Sequence, residues 1–276
     1  MRRRRQKLSR LSKGNPSGRF TGLADLYAQC RPSYPQAAVR LIIDRCRLGE
    51  RSLMVDVGCG TGISSRLFAL SGVPVLGIEP NQDMRRAAEA ESVPESFPAP
   101  VYREGTAEAT GLPPHSADAV LAAQAFHWFD EDKSLAEFHR ILKPHGWAVL
   151  MWNERDQSKP FTAAYGNLLR TLPDTSAVET QRGLAGTALL KSPLFCHCER
   201  VLFTNEQTLD QQGLLGRAFS ASYVPHEGVA AEAFAEELEA LFSRYEKEGR
   251  VTLSYETSVY LGQPSPVASL GSSSDR

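Results

Sequence analysis

Hydrophobic residues gather in short runs between residues 53 and 152, separated by stretches with helical spacing. Residues 53–57 (Leu-Met-Val-Asp-Val) make a β-like run closed by glycines. A helix is predicted over 63–70, a second strand over 73–78 and a second helix over 83–90. Residues 99–103 form a weaker strand and 119–123 a nearly continuous apolar one. Over 135–142, Leu135, Phe138, Ile141 and Leu142 fall on one helical face. Lys143-Pro144-His145-Gly146 stops that helix, and 147–152 reads as a fifth strand. Strands alternating with helices predict a doubly wound parallel sheet covered on both faces, with right-handed crossovers. After Asn153 the pattern loosens: helices over 161–172 and 183–190, a strand over 199–204, and a long acidic helix over 231–248. Residues 251–261 alternate Thr, Tyr and Ser with apolar residues, which suits a final antiparallel strand.

Charge changes this picture at one end. The chain of 276 residues has 31 basic and 32 acidic residues. Residues 1–19, however, hold eight basic residues and no acid, leaving 23 basic against 32 acidic residues in the rest. A basic tail, expected to be disordered, thus precedes an acidic body. Its Arg-rich, acid-free composition also overlaps with mitochondrial transit peptides; the expected compartment is otherwise the cytoplasm. The Gln263-Pro264-Ser265-Pro266 segment begins a second flexible tail, assigned to 264–276. Between them, 20–263 is read as one domain, with a core over 50–155 and capping and C-terminal elements over 156–263.

Other counts exclude whole classes. The composition is 42% hydrophobic and 23% charged, unlike a disordered, collagenous or disulfide-rich chain. Five cysteines without a C-x-x-C argue against a disulfide framework and for a reducing compartment. Cys196-His197-Cys198 lacks a second ligand pair at zinc spacing, so no metal is expected and a half-buried strand is the reading. No apolar run reaches the roughly 18 residues that span a bilayer. No basic patch with interleaved aromatics marks the body for nucleic acid, and a monomer is expected.

The most informative segment is Val55-Asp56-Val57-Gly58-Cys59-Gly60-Thr61-Gly62, between a strand and a helix. Glycines there let the backbone approach a ligand at the carboxyl edge of the sheet. A dinucleotide fingerprint places its third glycine five residues after the first; here Gly62 comes four after Gly58, which opposes nicotinamide binding. Glu79 ends the second strand, in Gly77-Ile78-Glu79-Pro80. An acid there accepts hydrogen bonds from ribose hydroxyls, or else charges a helix N-terminus. The upstream glycine loop favours the first reading.

With these residues the chain resembles the class I, seven-stranded S-adenosylmethionine-dependent methyltransferases, over about residues 50–155. Its flanks, Tyr27-Ala28-Gln29-Cys30-Arg31-Pro32-Ser33-Tyr34-Pro35 and Gln124-Ala125-Phe126-His127-Trp128-Phe129, are similar to a small-molecule subgroup that includes trans-aconitate methyltransferase. So are Ser220-Ala221-Ser222-Tyr223 and Leu253-Ser254-Tyr255-Glu256-Thr257. The resemblance implies a mostly parallel sheet of order 3-2-1-4-5-7-6 with the last strand antiparallel. It implies adenosylmethionine as cofactor, with Asp56, Gly58, Cys59, Gly60 and Gly62 forming the loop around its methionine end. Glu79 would hold the ribose, and Met84 would pack near the adenine or serve as helix core. Thr106 and Ala107 match the loop that reads the adenine edge, although many relatives have Asp at Thr106. Gln124 and Ala125 would border the methionyl group.

The expected activity is methyl transfer to a small molecule, with a carboxylate as one candidate. A carboxylate needs only orientation, whereas an alcohol, phenol or ammonium must lose a proton. His127 is the candidate base or a wall residue, Arg31 a candidate carboxylate clamp or a surface ion-pair partner, and Tyr27 a wall residue if the N-terminal segment forms a lid, or else plain packing. The alternatives are an RNA or protein methyltransferase using the basic tail, and a non-catalytic adenosylmethionine-binding protein.

Overall fold

The computed structural model describes residues 30–173, 186–221 and 223–266. The predicted Tyr27 and basic tail lie outside them, as do residues 267–276 of the second tail. Seven strands form one sheet of order β3-β2-β1-β4-β5-β7-β6, as the resemblance implied. The first five are β1 (Met54–Val57), β2 (Val75–Ile78), β3 (Val101–Arg103), β4 (Ala117–Ala123) and β5 (Leu142–Arg155). Neighbours among them pair in parallel. The last two are β6 (Phe195–Leu209) and β7 (Val251–Pro264); β7 runs antiparallel to both β5 and β6.

Residues on alternate sides of each strand build two cores. Val55, Val57, Val120, Leu150 and Trp152 pack on one face with Leu135, Phe138 and Ile141. Met54, Leu121, Val149 and Met151 pack on the other with Val39, Ile42 and Phe68. The second face is covered by α1 (Gln36–Cys46) and α2 (Ile63–Ala69), and the first by α4 (Glu131–Ile141). Between α2 and α4 lies α3 (Gln82–Ala90), whose N-cap Asn81 accepts a hydrogen bond from the Met84 amide at 3.0 Å.

A third core gathers α5 (Pro160–Arg170), α6 (Gln211–Phe219) and α7 (Val229–Tyr245) against β7, through Tyr165, Leu214, Phe234, Leu238 and Leu253. These capping elements stand beyond the end of β5 and form one wall of the site.

Some boundaries differ from the pattern. The helix before Lys143 does stop, at Ile141, but β5 starts at once with Leu142. A register shift between Ala117 and Ala119 absorbs Pro144 and Gly146. The strand expected over 199–204 is 15 residues long. Its Cys196-His197-Cys198 segment is irregular: His197 takes φ 51°, and pairing shifts between Cys196 and Glu199. All five cysteines are free, and among the described residues no three metal-ligating side chains cluster. Among them, too, no helix is long and apolar enough to cross a membrane.

Candidate functional site

A cavity of about 530 Å³ opens along the carboxyl ends of the parallel strands. It spans β1 and β4, where the sheet reverses its winding order, the place where open α/β sheets bind ligands. Its volume lies in the range of about 300–1,000 Å³ common for small-molecule sites.

The glycine loop forms its floor. Gly58, Gly60 and Gly62 all have positive φ (67°, 55° and 75°). A Cβ on Gly58 would fall 2.7 Å from Ala125 Cβ and 2.8 Å from Phe129 Cζ, so packing alone demands glycine there. A Cβ on Gly60 would meet nothing within 4 Å; it would project into open space. The Gly60 amide donates to Glu79 Oε2 at 3.0 Å, and the Asn81 amide donates to Oε1 at 2.9 Å. Two backbone amides thus aim the Glu79 carboxylate, which lines the cavity. Burial raises its pKa, against the opposing effect of these two hydrogen bonds and of Arg85.

Asp56 and Gly62, expected among the cofactor's contacts, are not among the residues that line the cavity and stand behind them. Asp56 is fully buried and accepts from Ser64 Oγ at 2.7 Å and Ser65 Oγ at 2.6 Å. It therefore fixes the first turn of α2 and, through it, the loop. Burial pushes its pKa up to about 6, in spite of the serine hydroxyls and with help from the nearby Glu79 charge. Gly62 caps α2, where a Cβ would collide with the Tyr102 hydroxyl.

Along the β2–β3 side the cavity is lined by Met84, Thr106, Ala107 and Glu108. Met84 and Ala107 are buried, and Thr106 is exposed at the cavity edge. In the middle stand Cys59, Thr61, Gln124 and Ala125. Gln124 holds φ 56°, an uncommon conformation for a non-glycine residue, costing about 1–3 kcal/mol. Its amide donates to the Met151 carbonyl at 2.8 Å and its Nε2 to the Asn153 carbonyl at 3.0 Å. Its buried Oε1 has no protein donor among the described residues, nor has the buried Thr61 Oγ1 an acceptor or donor. Orphan polar atoms beside an open glycine fit a bound polar ligand.

His127 does not join the lining. It lies in the short turn Phe126–Trp128, its ring centroid 4.7 Å from that of Trp128, while Ala125, Trp128 and Phe129 face the cavity. Neither the base role nor the wall role gains geometric support. Arg31 does line the cavity, and its Nη2 donates to the Ser220 carbonyl at 2.9 Å. The residue is half-buried at the cavity edge.

Several residues on the β5–β7 side escaped sequence reasoning: Asn153, Arg155, Gln157, Arg170, Arg217 and Tyr255. Asn153 holds the entry segment in place. Its Nδ2 donates to the Ser33 carbonyl at 3.1 Å, and its Oδ1 accepts from Thr257 and Asn205. Arg217 could not be read as a site residue because an arginine on a helix ordinarily marks the solvent face, yet here it is 5% exposed.

Residues 55–150 match the family described as "Methyltransferase domain". Over those residues the chain is similar to a methyltransferase domain. The chain is 33% identical over 150 residues to an uncharacterized methyltransferase-like protein of Schizosaccharomyces pombe, covering 54% of this chain and 56% of that relative. It is 31% identical over 150 residues to an uncharacterized methyltransferase of Mycobacterium tuberculosis, covering 54% and 58%. The match thus spans little more than half the length of these curated relatives. A solved structure from Anaeromyxobacter dehalogenans, provisionally designated a type II methyltransferase, superimposes with TM-score 0.62 at 25% identity over 86% of this chain and 99% of its own. The chain therefore shares the Rossmann-like methyltransferase fold of that structure.

Proposed function

We propose that this protein is an S-adenosylmethionine-dependent methyltransferase acting on a small molecule that carries a carboxylate. The observation that supports the cofactor is the pairing of Gly60 and Glu79: a backbone amide orients the carboxylate while the space over the glycine stays open. In this reading Glu79 holds the ribose hydroxyls, and Met84 and Ala107 border the adenine. The Gly58–Gly60 backbone and Gln124 hold the methionyl end. Bound there, adenosylmethionine supplies a methyl group made electrophilic by its sulfonium. The chain's own contribution is then to bind, orient and exclude water.

Two features support a carboxylate acceptor. Four arginines (Arg31, Arg155, Arg170 and Arg217) line the cavity with three glutamates, of which Glu79 belongs to the cofactor side. No histidine is among the lining residues, and a carboxylate, already ionised near neutral pH, requires no base.

The test is calorimetry of the purified protein with adenosylmethionine, S-adenosylhomocysteine and NAD. Adenosylmethionine and its demethylated product should bind and NAD should not. Glu79→Ala should lower affinity about tenfold or more, since hydrogen bonds to a charged group contribute about 1.5–3 kcal/mol. Binding of NAD alone, or unchanged affinity in the variant, sinks the cofactor assignment.

A further inference from the structure

We infer that Arg217 is the seat of the acceptor's carboxylate, held ready by Tyr255 at the end of the cavity away from Glu79. The inference rests on the methyltransferase reading and goes on to name the residue that selects the acceptor.

Arg217 lies in the last turn of α6, 5% exposed, and lines the cavity together with Tyr255. Its Nε donates to the Tyr255 hydroxyl at 3.4 Å. That hydroxyl in turn donates to Gln207 Oε1 at 3.3 Å, which leaves an oxygen lone pair for the guanidinium. Neither Nη1 nor Nη2 has a protein acceptor among the described residues. The titratable groups acting most strongly on Arg217 are Tyr255, Tyr165 and Tyr223, and Cys30 is also close enough to feel its charge. Burial pushes Tyr165 up to about 12 and raises Cys30. No carboxylate among the described residues pairs with it.

A guanidinium cannot shed its proton. Burying its charge without a counter-ion costs several kcal/mol. The carbonyl end of α6 offsets part of this but supplies no anion. The other arginines of the cavity have local roles: Arg31 bonds the Ser220 carbonyl, Arg170 bonds Asn167, and Arg155 stands over the Tyr165 ring. Arg217 presents two coplanar donor groups, Nη1 and Nη2, the fork that matches a carboxylate. A phosphate dianion fits less well. Arg217 stands at a helix C-terminus, not an N-terminus, and Glu154 lines the same end of the cavity.

The test uses the full chain saturated with S-adenosylhomocysteine and probes it with propionate, succinate and benzoate, their primary amides, and propyl phosphate. Affinity is read by calorimetry and by thermal shift. At least one carboxylate should bind about tenfold or more tightly than its amide. Arg217→Met should erase that preference, leave S-adenosylhomocysteine affinity within about twofold, and melt no lower than wild type without ligand, because an unpaired buried charge has been removed. Arg217→Lys should fold and weaken the carboxylates while leaving the amides unchanged. Equal binding of acids and amides to wild type overturns the inference, as does a preference for propyl phosphate. So does loss of S-adenosylhomocysteine affinity in Arg217→Met, which would assign the guanidinium to the cofactor. Collapse of the fold in that variant would make it a structural tie. If wild type fails to bind S-adenosylhomocysteine yet still selects carboxylates through Arg217, the methyltransferase reading falls and the seat stands.

Discussion

Gly58 and Gly60 look alike in the sequence and share positive φ, but their surroundings make different demands. Gly58→Ala must displace Ala125 or Phe129, so it should lower stability by about 1–3 kcal/mol. Gly60→Ala meets only open space. It should cost about 1 kcal/mol of backbone strain yet lower adenosylmethionine affinity much more than Gly58→Ala does. Chemical unfolding and calorimetry on both variants separate the two effects; equal losses of affinity would contradict a ligand over Gly60. Asp56 gives a pH signature. The fold opposes ionisation of its carboxyl, raised from 3.8 to about 6. Its contribution to stability is therefore complete below pH 3.8 and is lost as pH rises through about 6, a change of up to about 3 kcal/mol. Asp56→Asn should stabilise the unliganded protein at pH 8, and the gain should vanish near pH 4. Melting curves across that range check it, and a gain confined to acid pH would contradict the buried-charge account.

Elements differ in how plainly the chain announces them. β1, β2, β4 and the body of β5 are apolar runs bounded by glycine, proline or charge, and their pattern predicts them directly. Two helices escaped. In α1 the buried positions are Ala38, Val39, Ile42 and Cys46, a legible helical spacing behind Pro35 but in a short segment. In α6 the buried positions are Leu214, Arg217 and Ala218, and an arginine within the buried stripe breaks the apolar period. The start of α6 does carry a signal: Asp210 Oδ1 accepts from the Gly213 amide at 2.7 Å. Asp210→Ala should cost about 1 kcal/mol in urea unfolding. Because α6 carries Arg217, the same variant should weaken carboxylate binding more than S-adenosylhomocysteine binding. The reverse order would separate this helix from acceptor binding.

At the scale of the molecule, two cores lie on the faces of one sheet and a third joins the capping helices to β7. Leu238 is fully buried in the third. Leu238→Ala should lower global stability by about 2–5 kcal/mol. Below its melting temperature it should also impair acceptor binding before cofactor binding; equal impairment of both would contradict a separate capping core. The acidic body fits this division: Asp56 and Glu79 place carboxyl groups beside the glycine loop, and arginines gather at the far end. The sequence by itself determined the strand–helix alternation, the glycine loop and the acid after β2, because these depend on local periodicity and on residues within one β–α–β unit. Only the tertiary structure decided that Asp56 and Gly62 support the loop from behind, that His127 turns toward Trp128, and that Arg217 points inward beside Tyr255. Those facts depend on burial and on partners dozens of residues apart in the chain, which no local pattern encodes.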